Sequence, residues 1–198
     1  MKRRAGLLSR LIREQRGTTA VEFGLVCLVF ISMLLGVIDM GRLAWRINTA
    51  KAATREGVRL AVVSPMISTY MANYDGLSQN IAGGQVVPDM AFSCSGAGST
   101  CTQIVGSGGS PGFDSATFNA VLAKMRAYDP NIAAANVVIT YRHVGLGKVG
   151  NPYAPDMEPL VTVSLTGVSF QSAALQIFGV QPFTLPATAS TLSGESLS

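Results

Sequence analysis

The chain has 198 residues, of which 48% are apolar and only 13% are charged, and its formal net charge is +4 at neutral pH. This length suits one domain of ordinary size plus a smaller segment, and the low charge content excludes a long disordered polyelectrolyte. A mean hydropathy of +0.35 instead indicates a membrane segment.

Basic charge is concentrated at the N-terminus. Residues 1–17 contain six basic residues and one glutamate, whereas the rest of the chain holds 9 basic and 10 acidic residues. The overall basicity therefore comes from a short terminal segment rather than from a basic surface of a folded domain. We expect no nucleic-acid partner.

The longest apolar run follows this basic segment. Residues 23–38 carry no charge, and the run extends back to Thr18 with Glu22 as its only interruption. Twenty-one helical residues rise about 31 Å, which is the thickness of one hydrocarbon core. We predict a transmembrane helix over residues 18–38.

Three kinds of processing are known for an N-terminus of this type, and each requires a different pattern of residues. A secretory signal peptide is not favoured, because Asp39 and Arg42 follow the apolar core where small residues are required. Lipoprotein processing is not favoured either, because Cys27 lies inside the run and follows Val26. A cut in front of the run, after Gly17, fits the sequence best.

The residues around Gly17 form a pattern. Gly17 ends the basic segment, Glu22 stands five residues further on, and Phe23 follows the glutamate. The pattern resembles the processing site of type IV prepilins, in the form used by the Flp pilins of the tight-adherence (Tad) system. The resemblance implies a prepilin peptidase that cuts between Gly17 and Thr18 on the cytoplasmic side and removes residues 1–17.

The same resemblance implies a role in assembly for Glu22 and Phe23. In pilins the carboxylate pairs with the free N-terminus of a neighbouring subunit. The alternative is a glutamate that the dipole of its own helix stabilises without a partner.

The charges on either side of the span do not decide its orientation, because six basic residues precede it and five follow within about 20 residues. The processing pattern favours an N-terminus inside and a C-terminal head outside.

Apolar residues continue to recur at helical spacing beyond residue 38, which predicts a helical stalk over 39–64 that breaks before Pro65. Residues 48–59 resemble the Ala-rich, Arg-Glu-Gly-containing stretch of TadE-like pseudopilins. Flp major pilins are far shorter than this chain. The chain therefore resembles a minor pilin, with TadE-like preferred over TadF-like, and it lacks the metal pattern of the larger TadG-like relatives.

Residues 65–198 predict a small α+β head with an antiparallel sheet, which together with the long helix gives the pilin "lollipop" plan. Helices are predicted from Ser64-Pro65 to Gly83-Gly84, and from Asp114 or Ser115 to Asp129-Pro130. Strands are predicted over 85–93, 137–144, 160–170 and 184–192, with loops over 94–112 and 145–159.

The predicted head contains few residues that could form a reactive or metal-binding site. Cys94 and Cys101 bracket a flexible loop and predict a disulfide outside the cytoplasm, the alternative being two free thiols. A zinc site would need two more ligands than the neighbourhood supplies. His143 is the only histidine, so we expect no catalytic site, metal or cofactor. Residues 145–150 fit G-x-G-x-x-G, but Asn151-Pro152 follow and predict a loop rather than a nucleotide-binding helix.

These features predict a non-enzymatic minor pilin or pseudopilin in the cytoplasmic (inner) membrane, required for assembly of a Flp-type pilus. The resemblance implies three protein partners besides membrane lipid: the prepilin peptidase, other pilins and pseudopilins contacted through the N-terminal helix, and the pilus assembly platform. The alternative is a signal-anchored extracytoplasmic adhesion or sensory domain that does not enter a filament.

Overall fold

A computed structural model describes residues 16–107, 109–150, 156–177 and 179–193. Most of the predicted leader 1–17 and part of the predicted loop 145–159 lie outside these residues. The fold is α+β, with a long apolar N-terminal helix followed by a small head built on an antiparallel sheet. The chain divides into two compact units, one containing residues up to Ala44 with Gln171–Pro182, the other Trp45–Phe170 and the residues from Phe183 onward.

Helix α1 runs without interruption over Arg16–Val63. Its sequence contains no proline, and its first half is the apolar run while its second half is rich in alanine. The helix ends at Val63 because Pro65 disfavours helical geometry at the residue before it. The prediction of one helix across the span and the stalk is confirmed.

The head is organised around antiparallel strands. The strands are β1 Ala91–Ser95, β2 Thr100–Val105, β3 Val137–His143, β4 Pro159–Leu165, β5 Ser169–Phe170, β6 Phe183–Thr184 and β7 Thr188–Ser193. Five of them form one antiparallel sheet with the strand order β2-β1-β3-β4-β7. The short strands β5 and β6 pair with each other in a separate antiparallel ladder.

Besides α1, the head contains helix α2 over Thr69–Ala72 and helix α3 over Ser115–Arg126, together with a 3-10 turn at Ala134–Asn136. Asp114 is the N-cap of α3, as predicted, because its carboxylate accepts hydrogen bonds from the Ala116 amide and the Thr117 hydroxyl. The Thr117 bond, followed by that from Ala116, lowers the pKa of Asp114.

The core of the head lies between the second half of α1, helix α3 and one face of the sheet. Alternate residues of β3 and β4 are buried, as the two-residue period of a strand requires. The buried apolar side chains that these elements contribute are Ala50, Ala53, Val58, Ala61, Phe118, Val121, Leu122, Met125, Val137, Ile139, Tyr141, Val161, Val163 and Leu165.

The predicted helix over 65–82 is wrong, because α2 has only four residues. After α2, the backbone amides of Gly76 and Leu77 donate to aspartate side chains instead of to helical carbonyls, so the helix does not continue. Asp75 accepts a hydrogen bond from the Leu77 amide, and Asp156 accepts one from the Gly76 amide at 2.7 Å. Asn80 then adopts a positive φ of 61°.

The strand boundaries also differ from the predictions. The predicted strand over 85–93 begins only at Ala91, after Pro88, and the predicted loop over 94–112 contains β2. The predicted strand over 160–170 is split into β4 and β5 around Gly167, whose φ is +69°. The predicted strand over 184–192 is divided between β6 and β7, and helix α4 over Ala173–Ile177 was not predicted.

Candidate processing and assembly site

The predicted cleavage position lies on the helical backbone of α1. Gly17 and Thr18 are both exposed, and a Cβ atom added at Gly17 would meet no atom within 4 Å. Glycine in a helix costs about 1 kcal/mol relative to alanine. Since the space around Gly17 is open, packing within the described part of the chain gives no reason for a glycine here.

Glu22 and Phe23 lie one turn further along α1. Both residues are exposed, and Phe23 retains 73% of its accessible surface. Thr18 and Glu22 are four residues apart and so share one face of the helix. Among the described residues the Glu22 carboxylate forms neither a hydrogen bond nor an ion pair, so it is open to a group from another molecule.

The helix around and beyond Glu22 presents an exposed apolar surface. Helix α1 is long and apolar enough to cross a membrane. Such a surface is stable only when lipid or other apolar helices cover it. Twelve large apolar side chains in this region are each at least 47% exposed: Val21, Phe23, Leu25, Val26, Leu28, Val29, Phe30, Ile31, Met33, Leu34, Val37 and Ile38.

The small residues of the Ala-rich stretch serve packing inside the head. A Cβ atom at Gly57 would come within 2.8 Å of Met125 Cγ and 3.5 Å of Val163 Cγ1, so the glycine allows α1 to approach α3 and β4 closely. Ala50 and Ala53 are buried on neighbouring turns of α1. The Arg-Glu-Gly-containing stretch is therefore the contact between the long helix and the head.

An ion pair that the sequence did not reveal joins α1 to the turn that follows α3. The Arg46 guanidinium donates to both carboxylate oxygens of Asp129, at 2.7 and 2.8 Å. The Asp129 side chain is 4% exposed and that of Arg46 is 28% exposed. The only signal available in the sequence was an aspartate placed just after an amphipathic helix.

The expected disulfide between Cys94 and Cys101 is present. The two cysteines are directly paired residues of β1 and β2, and their Cα atoms are 3.9 Å apart. The bridge therefore closes a β-hairpin rather than a flexible loop. Both side chains are buried, which makes the bridge a structural element of the sheet edge.

His143 and the glycine-rich loop belong to the structure of the head. The His143 side chain is 1% exposed at the end of β3, and neither ring nitrogen has a hydrogen-bond partner within the described structure. Burial lowers the pKa of His143. Gly145, Gly147 and Gly150 have positive φ angles of 77–94° in the loop that follows. Within the described residues, no cluster of three or more histidine, cysteine, aspartate or glutamate side chains could hold a metal ion.

Tyr141 fixes the segment after the long helix. Its hydroxyl accepts a hydrogen bond from the Ile67 amide at 3.3 Å, and both residues are buried. Burial raises the pKa of Tyr141 to about 12, so the phenol remains neutral at any physiological pH. The contact is structural and adds no reactive group to the head.

An exposed glycine, an unpaired carboxylate and an apolar helix that continues into a small head are together typical of pilin-related proteins. Residues 17–59 match a family model described as TadE-like protein. No curated protein and no solved structure gives a significant match. The resemblance to TadE-like proteins is confirmed for these 43 residues, which begin at Gly17 and end within the stretch packed against α3.

The match indicates a pilin-related role in a Tad system, and the matched family is of a structural, non-enzymatic type. It covers the whole candidate site, since Gly17, Thr18, Glu22 and Phe23 all fall inside it. The sheet of the head lies beyond the matched residues.

Proposed function

We propose that this protein is a minor pilin or pseudopilin that a prepilin peptidase processes between Gly17 and Thr18, and that assembly of a Flp-type pilus requires it. Before assembly it is held in the cytoplasmic membrane by residues 18–38, with residues 1–17 in the cytoplasm and the head outside. Residues 39–64 form the stalk and residues 65–198 form the head, apart from Gln171–Pro182, which belongs to the same compact unit as the first part of α1.

The observation that carries the proposal is the position of Gly17. The glycine is exposed, ends the basic segment five residues before Glu22, and coincides with the first residue of the TadE-like match. An added Cβ would meet nothing there, but the same holds for Gly24, Gly36 and Gly41, so the open space alone does not single out Gly17. Close approach of a peptidase to the backbone would account for glycine at this position.

Glu22 supports the second half of the proposal. Cleavage creates an amine at Thr18, and the unpaired Glu22 carboxylate lies within the first turns of the new N-terminus, where the helix dipole favours a negative charge. In a low-dielectric surrounding a carboxylate gains most from a cationic partner. The N-terminal amine of a neighbouring subunit is such a partner, and the exposed apolar face of α1 would pack against other pilin helices in the filament.

The processing step is tested by the intact mass of the protein, produced with and without an active prepilin peptidase. We expect the peptidase to remove the mass of residues 1–17, and a Gly17→Val variant to keep its full mass. Gly24→Val is the matched control, because Gly24 is also a helical glycine in open space and lies outside the cut site. A mature N-terminus at Met1 beside an active peptidase would refute processing and favour the signal-anchored domain.

The assembly step is tested separately with Glu22→Ala. We expect normal cleavage but incorporation into pili reduced by roughly tenfold or more, since a charge-assisted bond contributes about 1.5–3 kcal/mol. Glu56→Ala is the matched control, because the Glu56 carboxylate already pairs with Arg59 of its own chain at 2.8 Å. Incorporation of Glu22→Ala at the level of Glu56→Ala would remove the proposed role of Glu22.

A further inference from the structure

Asp39 joins helix α1 to a segment far along the chain. Its side chain is almost fully buried, and its carboxylate accepts hydrogen bonds from the Ser172 hydroxyl at 2.5 Å, the Ala173 amide at 3.1 Å and the Ala174 amide at 2.7 Å. Arg42 adds an ion pair at 3.1 Å. The first amides of a helix have no partner inside the helix, and here Asp39 supplies partners for α4.

The position of Ala174 shows that helix α4 lies beside the part of α1 that precedes Asp39 in sequence. Ala174 lines a groove of about 490 Å³ together with Phe23, Cys27, Ile31 and Leu35. These four residues of α1 are spaced by four, so they share one face of the helix, and all of them precede Asp39. Helix α4 therefore lies beside the predicted membrane-spanning part of α1, in the compact unit formed by residues up to Ala44 and Gln171–Pro182.

The composition of this segment matches its position. No charged residue occurs anywhere in residues 159–194, although the chain is 13% charged as a whole. Within Gln171–Pro182, Ala173, Val180 and Pro182 are exposed beside the uncharged polar side chains of Gln171, Gln176 and Gln181, and Val180 retains 47% of its accessible surface. An uncharged segment with exposed apolar side chains suits a lipid environment better than water.

We propose that Gln171–Pro182 is a second membrane-contacting segment, which lies in the interface of the bilayer that α1 spans and is held there by Asp39. The inference rests on α1 spanning that bilayer, as in the proposed function. Phospholipid acyl chains cover the groove and Val180, continuous with the lipid that covers the exposed face of α1. Backbone amides in lipid need internal partners, and Asp39 meets that need at the start of α4.

Lipid contact at residue 180 is tested with single-tryptophan variants of the full chain in bilayers. Trp45 is the only tryptophan, so Trp45→Phe provides the background. Val180→Trp reports on the segment, Leu34→Trp on the membrane helix, and Ile104→Trp on the head, where Ile104 is 57% exposed on β2. Phospholipids with brominated acyl chains and aqueous acrylamide are the two quenchers.

We expect brominated lipid to quench Val180→Trp to at least about half the extent of Leu34→Trp, and acrylamide to quench mainly Ile104→Trp. Quenching of Val180→Trp by acrylamide alone would overturn the inference, and protection from both quenchers would indicate cover by protein and overturn it too. In either case Leu34→Trp still reports whether α1 is in the membrane. Loss of lipid quenching at Leu34→Trp would count against the membrane anchor itself, and so against both proposals.

The anchoring role of Asp39 is tested by adding Asp39→Ala to the Val180→Trp chain. We expect lipid quenching to fall by about twofold and acrylamide quenching to rise, because the first amides of α4 lose their acceptor. Asp75→Ala is the matched control, since Asp75 is an exposed aspartate that also accepts from a backbone amide. Unchanged quenching in Asp39→Ala would refute the anchor. If that variant fails to fold, the measurement on the Val180→Trp chain with Asp39 intact still decides the lipid contact.

Discussion

Replacement of Arg46 by methionine tests how the long helix is held to the head. The Arg46 guanidinium contacts both oxygens of the nearly buried Asp129 carboxylate, at 2.7 and 2.8 Å. Methionine keeps the apolar stem of the side chain, so the change removes the charge while preserving most of the packing. The variant leaves an aspartate buried without its cation.

The size of the effect follows from the surroundings of the pair. Removal of one partner from a fully buried ion pair costs about 3–5 kcal/mol, whereas an exposed pair contributes about 0–1 kcal/mol. Asp129 keeps two donors, the amide and the side chain of Asn131, both at 3.1 Å, and Arg46 is 28% exposed. We therefore expect Arg46→Met to lower the free energy of unfolding by about 2–3 kcal/mol, or roughly 5–10 °C in Tm.

Thermal unfolding of the full chain in detergent micelles, followed by near-UV circular dichroism, measures this difference. Arg59→Met is the matched control on the same helix, because Arg59 pairs with Glu56 at 2.8 Å while 69% exposed. We expect the control to change stability by less than about 1 kcal/mol. Equal shifts for Arg46→Met and Arg59→Met would refute the assignment of a buried, stabilising pair.

Three further predictions concern the head, with unfolding free energies as the readout. Gly57→Val should destabilise by about 1–3 kcal/mol through overpacking against α3 and β4, whereas Gly41→Val, which meets nothing within 4 Å, should not destabilise. Replacing Cys94 and Cys101 by alanine should cost about 2–3 kcal/mol, and equal stability with and without the bridge would contradict this. Since burial lowers the pKa of His143, the unfolded chain takes up a proton first as the pH falls. Stability should then be constant above about pH 7 and decline through pH 6.5 by at most about 1.4 kcal/mol per pH unit, and His143→Leu should abolish the decline.

The candidate site could be located from the sequence because its signals are local. The basic segment, Gly17, Glu22 and the apolar run follow one another within 38 residues, and a helix forms from contacts between near neighbours. The structure adds that Gly17, Thr18, Glu22 and Phe23 are all exposed. The reason for Gly57, by contrast, lies in the tertiary structure, because only the fold places Met125 and Val163 beside it.

The strands and the short helices were predicted less well for a physical reason. The residues of β2 show little apolar alternation, and their strand is defined by pairing with β1 and by the Cys94–Cys101 bridge. The predicted helix after Pro65 failed because Asp156, 80 residues away, binds the Gly76 amide. Such competing partners cannot be read from periodicity.

The sequence by itself determined the apolar helix, its length and the Gly17–Glu22 pattern, because hydrophobic run length and helical spacing are properties of adjacent residues. Only the tertiary structure decided that Arg46 meets Asp129 and that Asp39 meets residues 172–174, across 83 and more than 130 positions of chain. Those contacts form only when the helices and strands pack against one another, so residues distant in sequence stabilise each other only in the folded chain.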